Sequence, residues 1–78
     1  MQNFPHHYAV LARGGAAGAI SLEGDRLPTL QTAAPAEFDG PGDRWSPETL
    51  LVAAVGDCFV LTFRGVARAM NVPWTLLE

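Results

Sequence analysis

The sequence predicts an α+β fold: a three-stranded antiparallel meander packed on one long central helix, with a terminal strand begun at the C-terminus. Three observations carry this. Residues 46–70 form a long apolar run that no proline interrupts after Pro47. Ahead of it stand three short segments rich in β-formers, separated by glycine-bearing turns. Between the two regions lies a stretch dense in Pro, Gly and Asp, which is loop chemistry.

The first segment, residues 7–12, reads His-Tyr-Ala-Val-Leu-Ala. As a strand it places His7, Ala9 and Leu11 on one face and Tyr8, Val10 and Ala12 on the other. Residues 13–18 follow as a glycine-rich turn, where glycine supplies the positive φ that a hairpin demands. It is not a phosphate loop, since no Lys-Ser/Thr follows and the chain continues as a second strand over 19–23. Gly24-Asp25 makes a tight turn into a third strand over 27–32, and Pro28 marks that strand for an edge. Adjacent strand histidines point to opposite faces, so His6-His7 reads as a solvated pair and not as a metal site.

The loop over 33–45 reads AAPAEFDGPGDRW, with Phe38 and Trp45 as the apolar pegs expected to anchor it. The helix, expected over about 47–70, has clear punctuation. Ser46 is a favoured N-cap, and Pro47 suits the first position, where its missing N–H costs nothing. Glu48 puts negative charge at the positive end of the macrodipole, and Asn71 is a suitable stop. About 24 residues give a rod of roughly 36 Å. At ~100° per residue its side chains sort into three faces. Val52, Phe59, Phe63, Val66 and Met70 share a large apolar side, and Asp57, Arg64 and Arg68 form a polar stripe. The third side is small, built from Ala54, Cys58, Thr62, Gly65 and Ala69. Such a helix expects neighbours on two sides. After it, residues 74–78 look like the opening of another strand.

Composition bounds the function classes. Seventy-eight residues make one small domain, and 49% hydrophobic content is not that of a disordered chain. A net charge of −3, with five arginines, no lysine and eight acids, argues against nonspecific nucleic-acid binding. One cysteine makes no internal disulfide, and no His or Cys set has metal-like spacing, so neither metal nor other cofactor is expected. No basic region precedes an apolar stretch at the start, and Asp57, Arg64 and Arg68 interrupt the apolar helix as a membrane span. The expectation is a cytoplasmic protein with no membrane partner.

The stretch PAEFDGPGDRWSPETLLVAAVGDCF, followed by LTFRGVARAM, resembles the osmotically induced protein C / organic hydroperoxide resistance (OsmC/Ohr) family. The carrying motif is a Pro-Glu pair opening a long helix, an Ala-rich turn, and a Cys-Phe ten residues after the glutamate: Pro47, Glu48, Ala53, Ala54, Cys58 and Phe59. Gly14-Gly15 and Phe38-Asp39-Gly40 also fall where the family has similar features. The likeness covers the N-terminal half of a family domain. It implies a thiol-dependent peroxidase of the oxidative stress response, reducing organic hydroperoxides and regenerated by a dithiol reductant. It also implies a homodimer interlocked around the long helices. On this resemblance Cys58 is the nucleophile and Glu48 orients an activating arginine. The two positions where family branches carry that arginine are Ala16 and Glu37 here, so Arg13 or Arg44 would take its place. The resolving cysteine of the C-terminal half has no counterpart.

The chemistry explains the need for a cation. A free cysteine titrates near ~8.5, and peroxide attack goes through the thiolate. Glu48 lies roughly 15 Å of helical rise from Cys58, and Arg64 and Arg68 stand about 120° and 80° around the helix from it. The activator must therefore come from the sheet, the loop or a second chain. A second reading from a different class stands beside the first: a non-catalytic homodimeric assembly or ligand-binding module that keeps the OsmC-like fold.

Overall fold

The computed structural model describes residues 3–78, and they form two units, one running through Pro47 and the other covering Glu48–Glu78. The first holds β1 (Leu11–Arg13), β2 (Ile20–Glu23) and β3 (Leu30–Thr32) in one antiparallel sheet of order β1-β2-β3. The second is dominated by α1 (Pro47–Ala69). The class is thus α+β, with a three-stranded meander and one long helix.

Register sorts the sheet into two chemically distinct faces. Leu11 faces Glu23, Arg13 faces Ser21, and Ser21 faces Gln31, so these five share one side. Gln31 Nε2 donates to Ser21 Oγ at 2.9 Å across that face. Ala12, Ile20, Leu22, Leu30 and Thr32 share the other side, and all but Ala12 are half-buried or buried. Burial alternates with period two only in β3, where Leu30 and Thr32 are less exposed than Gln31; β2 is half-buried on both faces and β1 is exposed.

The strands are shorter than the apolar segments that announce them. β1 is confined to Leu11–Arg13 because its partner turns away beyond Glu23: Leu27 N–H donates to the Gly24 carbonyl at 3.1 Å and closes the reversal. Residues 7–10 therefore have no ladder partner among the described residues, and Tyr8 and Val10 stand 90% and 66% exposed. The same reversal holds Arg26 in the left-handed region (φ 62°) and keeps residues 27–29 out of β3. In the first turn the positive φ falls at Gly18 (91°), not at the Gly14-Gly15 pair.

The segment after β3 is held by backbone bonds rather than by aromatic pegs. Thr32 bridges Trp45 in parallel, and Ala33 N–H donates to the Trp45 carbonyl at 3.0 Å. A 3₁₀ turn at Ala36–Phe38 is closed by Phe38 and Gly40 amides donating to the Pro35 carbonyl, at 2.9 and 3.0 Å. Asp39 takes the left-handed cap (φ 64°), and a Cβ at position 40 would overlap the Ala34 carbonyl, so only glycine fits there. Phe38 is 69% exposed and anchors nothing; Trp45 holds the loop through its main chain.

Helix α1 begins where the Ser46-Pro47 pair predicts, with Ser46 1% exposed. It ends in a Schellman motif. The Asn71 N–H donates to the Arg68 carbonyl at 3.2 Å, the Val72 N–H to the Ala67 carbonyl at 2.9 Å, and Asn71 sits at φ 54°. Beyond it the Trp74 ring packs edge-on against Phe63, centroids 5.1 Å apart. Residues 74–78, expected to open a strand, are not in one. Pro73 withholds an amide and Trp74 folds back onto the helix.

The large apolar side of α1 is largely exposed, with Phe63 half-buried beside Trp74. Val52, Phe59, Val66 and Met70 are 71%, 65%, 52% and 68% exposed. The less exposed residues Ala53, Val60 and Ala67 instead form a stripe between that side and the polar stripe, with Leu50 in line with Arg68. Among the described residues of the helix only Ala67 is buried. By length and composition the helix could also cross a membrane: its best window has a mean hydropathy of 1.8 and is 6% buried.

Candidate thiol site

Cys58 lies near the middle of α1, and its thiol is free and exposed. Residues three and four positions away are its neighbours on a helix surface, here Ala54, Val55, Leu61 and Thr62. All four are exposed, so the thiol stands in an open apolar and small-residue setting on its own helix. Reagents can reach it.

Glu48 occupies the first turn of the same helix, where its charge complements the macrodipole. It is exposed. Ten residues of helical rise, roughly 15 Å, separate it from Cys58, so the two do not meet along one helix.

The two candidate arginines both belong to the sheet unit, and they differ in what holds them. Arg13 closes β1, and its Nε lies 3.0 Å from Glu23 Oε2 on β2. The two residues are diagonal in the register, since Arg13 faces Ser21 and Leu11 faces Glu23. The Glu23 oxygen lacks a hydrogen-bond donor despite that distance, so the contact is an ion pair without an aligned N–H. With the side chains 70% and 43% exposed, such a pair contributes little to stability, at most about 1 kcal/mol. It places the guanidinium beside Glu23. Sequence reasoning misses Glu23, because the partnership exists only once the register sets Arg13 diagonal to it.

Arg44 has no ion-pair partner within 4 Å among the described residues. It lines a cleft of about 440 Å³ with Gly18, Ala19, Ala33, Ala34 and Asp39. The small side chains leave the cleft open, and the tight turn at Asp39-Gly40 shapes one wall. Of the two arginines, Arg44 is therefore the one left uncommitted.

No group of three or more His, Cys, Asp or Glu able to hold a metal occurs among the described residues. His6 instead stacks on Phe4, with ring centroids 4.3 Å apart. The four candidate residues thus divide evenly between the units: Glu48 and Cys58 on the helix, Arg13 and Arg44 in the sheet unit. No protein-family model, curated protein or solved structure matches the chain.

Proposed function

We propose that this chain is the nucleophile-bearing half of an OsmC-like thiol peroxidase that acts on organic hydroperoxides as a homodimer. The observation that supports it is the placement of Cys58: the sole cysteine is free and exposed at the position the family motif reserves for the nucleophile. The thiolate attacks the distal peroxide oxygen, an S–O bond forms and the O–O bond breaks. Sulfur is oxidised to a sulfenic acid, while the peroxide is reduced and leaves as an alkoxide that takes a proton to become the alcohol. An external dithiol then attacks the sulfenic sulfur, water leaves, and its second thiol releases Cys58 from the mixed disulfide. The mechanism requires a cation beside the thiolate, oriented by a Glu48 carboxylate. Along one helix Glu48 and Cys58 stand roughly 15 Å apart, so a second chain must take part. Of the two candidates Arg13 and Arg44, we take Arg44, since Arg13 lies against Glu23.

The test is mass spectrometry after one equivalent of cumene hydroperoxide, with a sulfenic-acid trap present. The expected product is a single trapped adduct on Cys58, absent from Cys58→Ser. A chain that stays unmodified while free cysteine in the same tube is consumed would rule the reading out.

A second reading draws on the Arg13–Glu23 pair, which competes for one candidate activator. In it the chain is a non-catalytic assembly or ligand-binding module, and Cys58 is a small surface residue of its interface. The same experiment separates the two, since this reading expects no adduct beyond that of an ordinary thiol.

A further inference from the structure

We draw no further inference here: the strongest candidate, the cleft in the sheet unit lined by Gly18, Ala19, Ala33, Ala34, Asp39 and Arg44, already enters the proposed site through Arg44 and holds no buried polar group that points to a ligand of its own.

Discussion

Arg13 and Arg44 are the same residue type placed in loops and strand ends of one small unit, yet the structure uses them differently. Arg13 sits against Glu23, while Arg44 faces a cleft. This asymmetry makes a paired prediction. Arg13→Ala should change stability by less than about 1 kcal/mol in chemical denaturation, since an exposed pair contributes little, and should leave the rate of Cys58 oxidation unchanged. Arg44→Ala should leave stability alone and slow that oxidation roughly tenfold, the factor that about 1.4 kcal/mol of lost thiolate stabilisation carries. Equal oxidation rates in both variants would remove Arg44 from the mechanism. Gly40 offers a purely structural contrast. A methyl group there would meet the Ala34 carbonyl, so Gly40→Ala should destabilise the sheet unit by roughly 1–3 kcal/mol through forced displacement. A melting curve superimposable on that of the parent chain would show that the 33–45 loop yields more easily than its hydrogen bonds suggest.

At the scale of elements, the helix was more legible than the strands, and the reason is physical. The signals that start and stop a helix are local: Ser46-Pro47 at one end and Asn71 at the other act within a turn of the backbone they terminate. Both ends fall within a residue of the expected positions, and Asn71 takes the left-handed conformation that the motif requires. Replacing Asn71 by Gly should preserve or slightly raise helix stability, while Asn71→Val should lower it by about 1–2 kcal/mol, the cost of holding a branched side chain at positive φ. Thermal unfolding followed by circular dichroism distinguishes these, and a Val variant as stable as the Gly variant would contradict the cap. Strand length, by contrast, is decided by a partner. Residues 7–10 alternate as a strand should, but the Gly24–Leu27 reversal takes away the neighbour that would pair with them. The Arg13–Glu23 contact was hidden for the same reason, since it depends on register. Phe38 was expected to be an anchor on its apolarity alone, although burial needs something to bury against; its backbone, and not its ring, secures the loop. Of the candidate site, the residue types were legible, and their grouping into two units was not.

For the molecule as a whole, the exposed apolar surface of α1 is the dominant feature. Leu51 and Val55, 69% and 67% exposed, stand with Ala54, Cys58, Thr62 and Gly65 on one side of a helix with one buried residue among those described. Burying such surface is worth about 25 cal/mol per Å², so association is favoured, and a two-fold pair of like helices is the simplest closed solution. We expect a homodimer through the side built from Ala54, Cys58, Thr62 and Gly65. A Cβ at Gly65 meets nothing within 4 Å, so Gly65→Leu has room in a single chain and gains helix propensity of up to about 1 kcal/mol. In a close helix pair the same side chain would overpack the interface. Sedimentation velocity should therefore show a dimer for the parent chain and a shift toward monomer for Gly65→Leu. A parent chain that stays monomeric at micromolar concentration would contradict this. The helix also satisfies the length and hydropathy of a membrane span, so flotation with neutral lipid vesicles is the companion experiment, in which the dimer account expects no co-migration.

The central claim is that Cys58 is a peroxide-reactive thiol and not merely a small residue on an open helix. The measurement that meets it most directly is the second-order rate of Cys58 oxidation by cumene hydroperoxide, followed by loss of titratable thiol and compared with free cysteine at the same pH. The account predicts a rate at least roughly tenfold above that of free cysteine, as expected for a thiolate stabilised by a neighbouring cation, and a return to the free-cysteine rate in Arg44→Ala. A parent chain that oxidises no faster than free cysteine would contradict it.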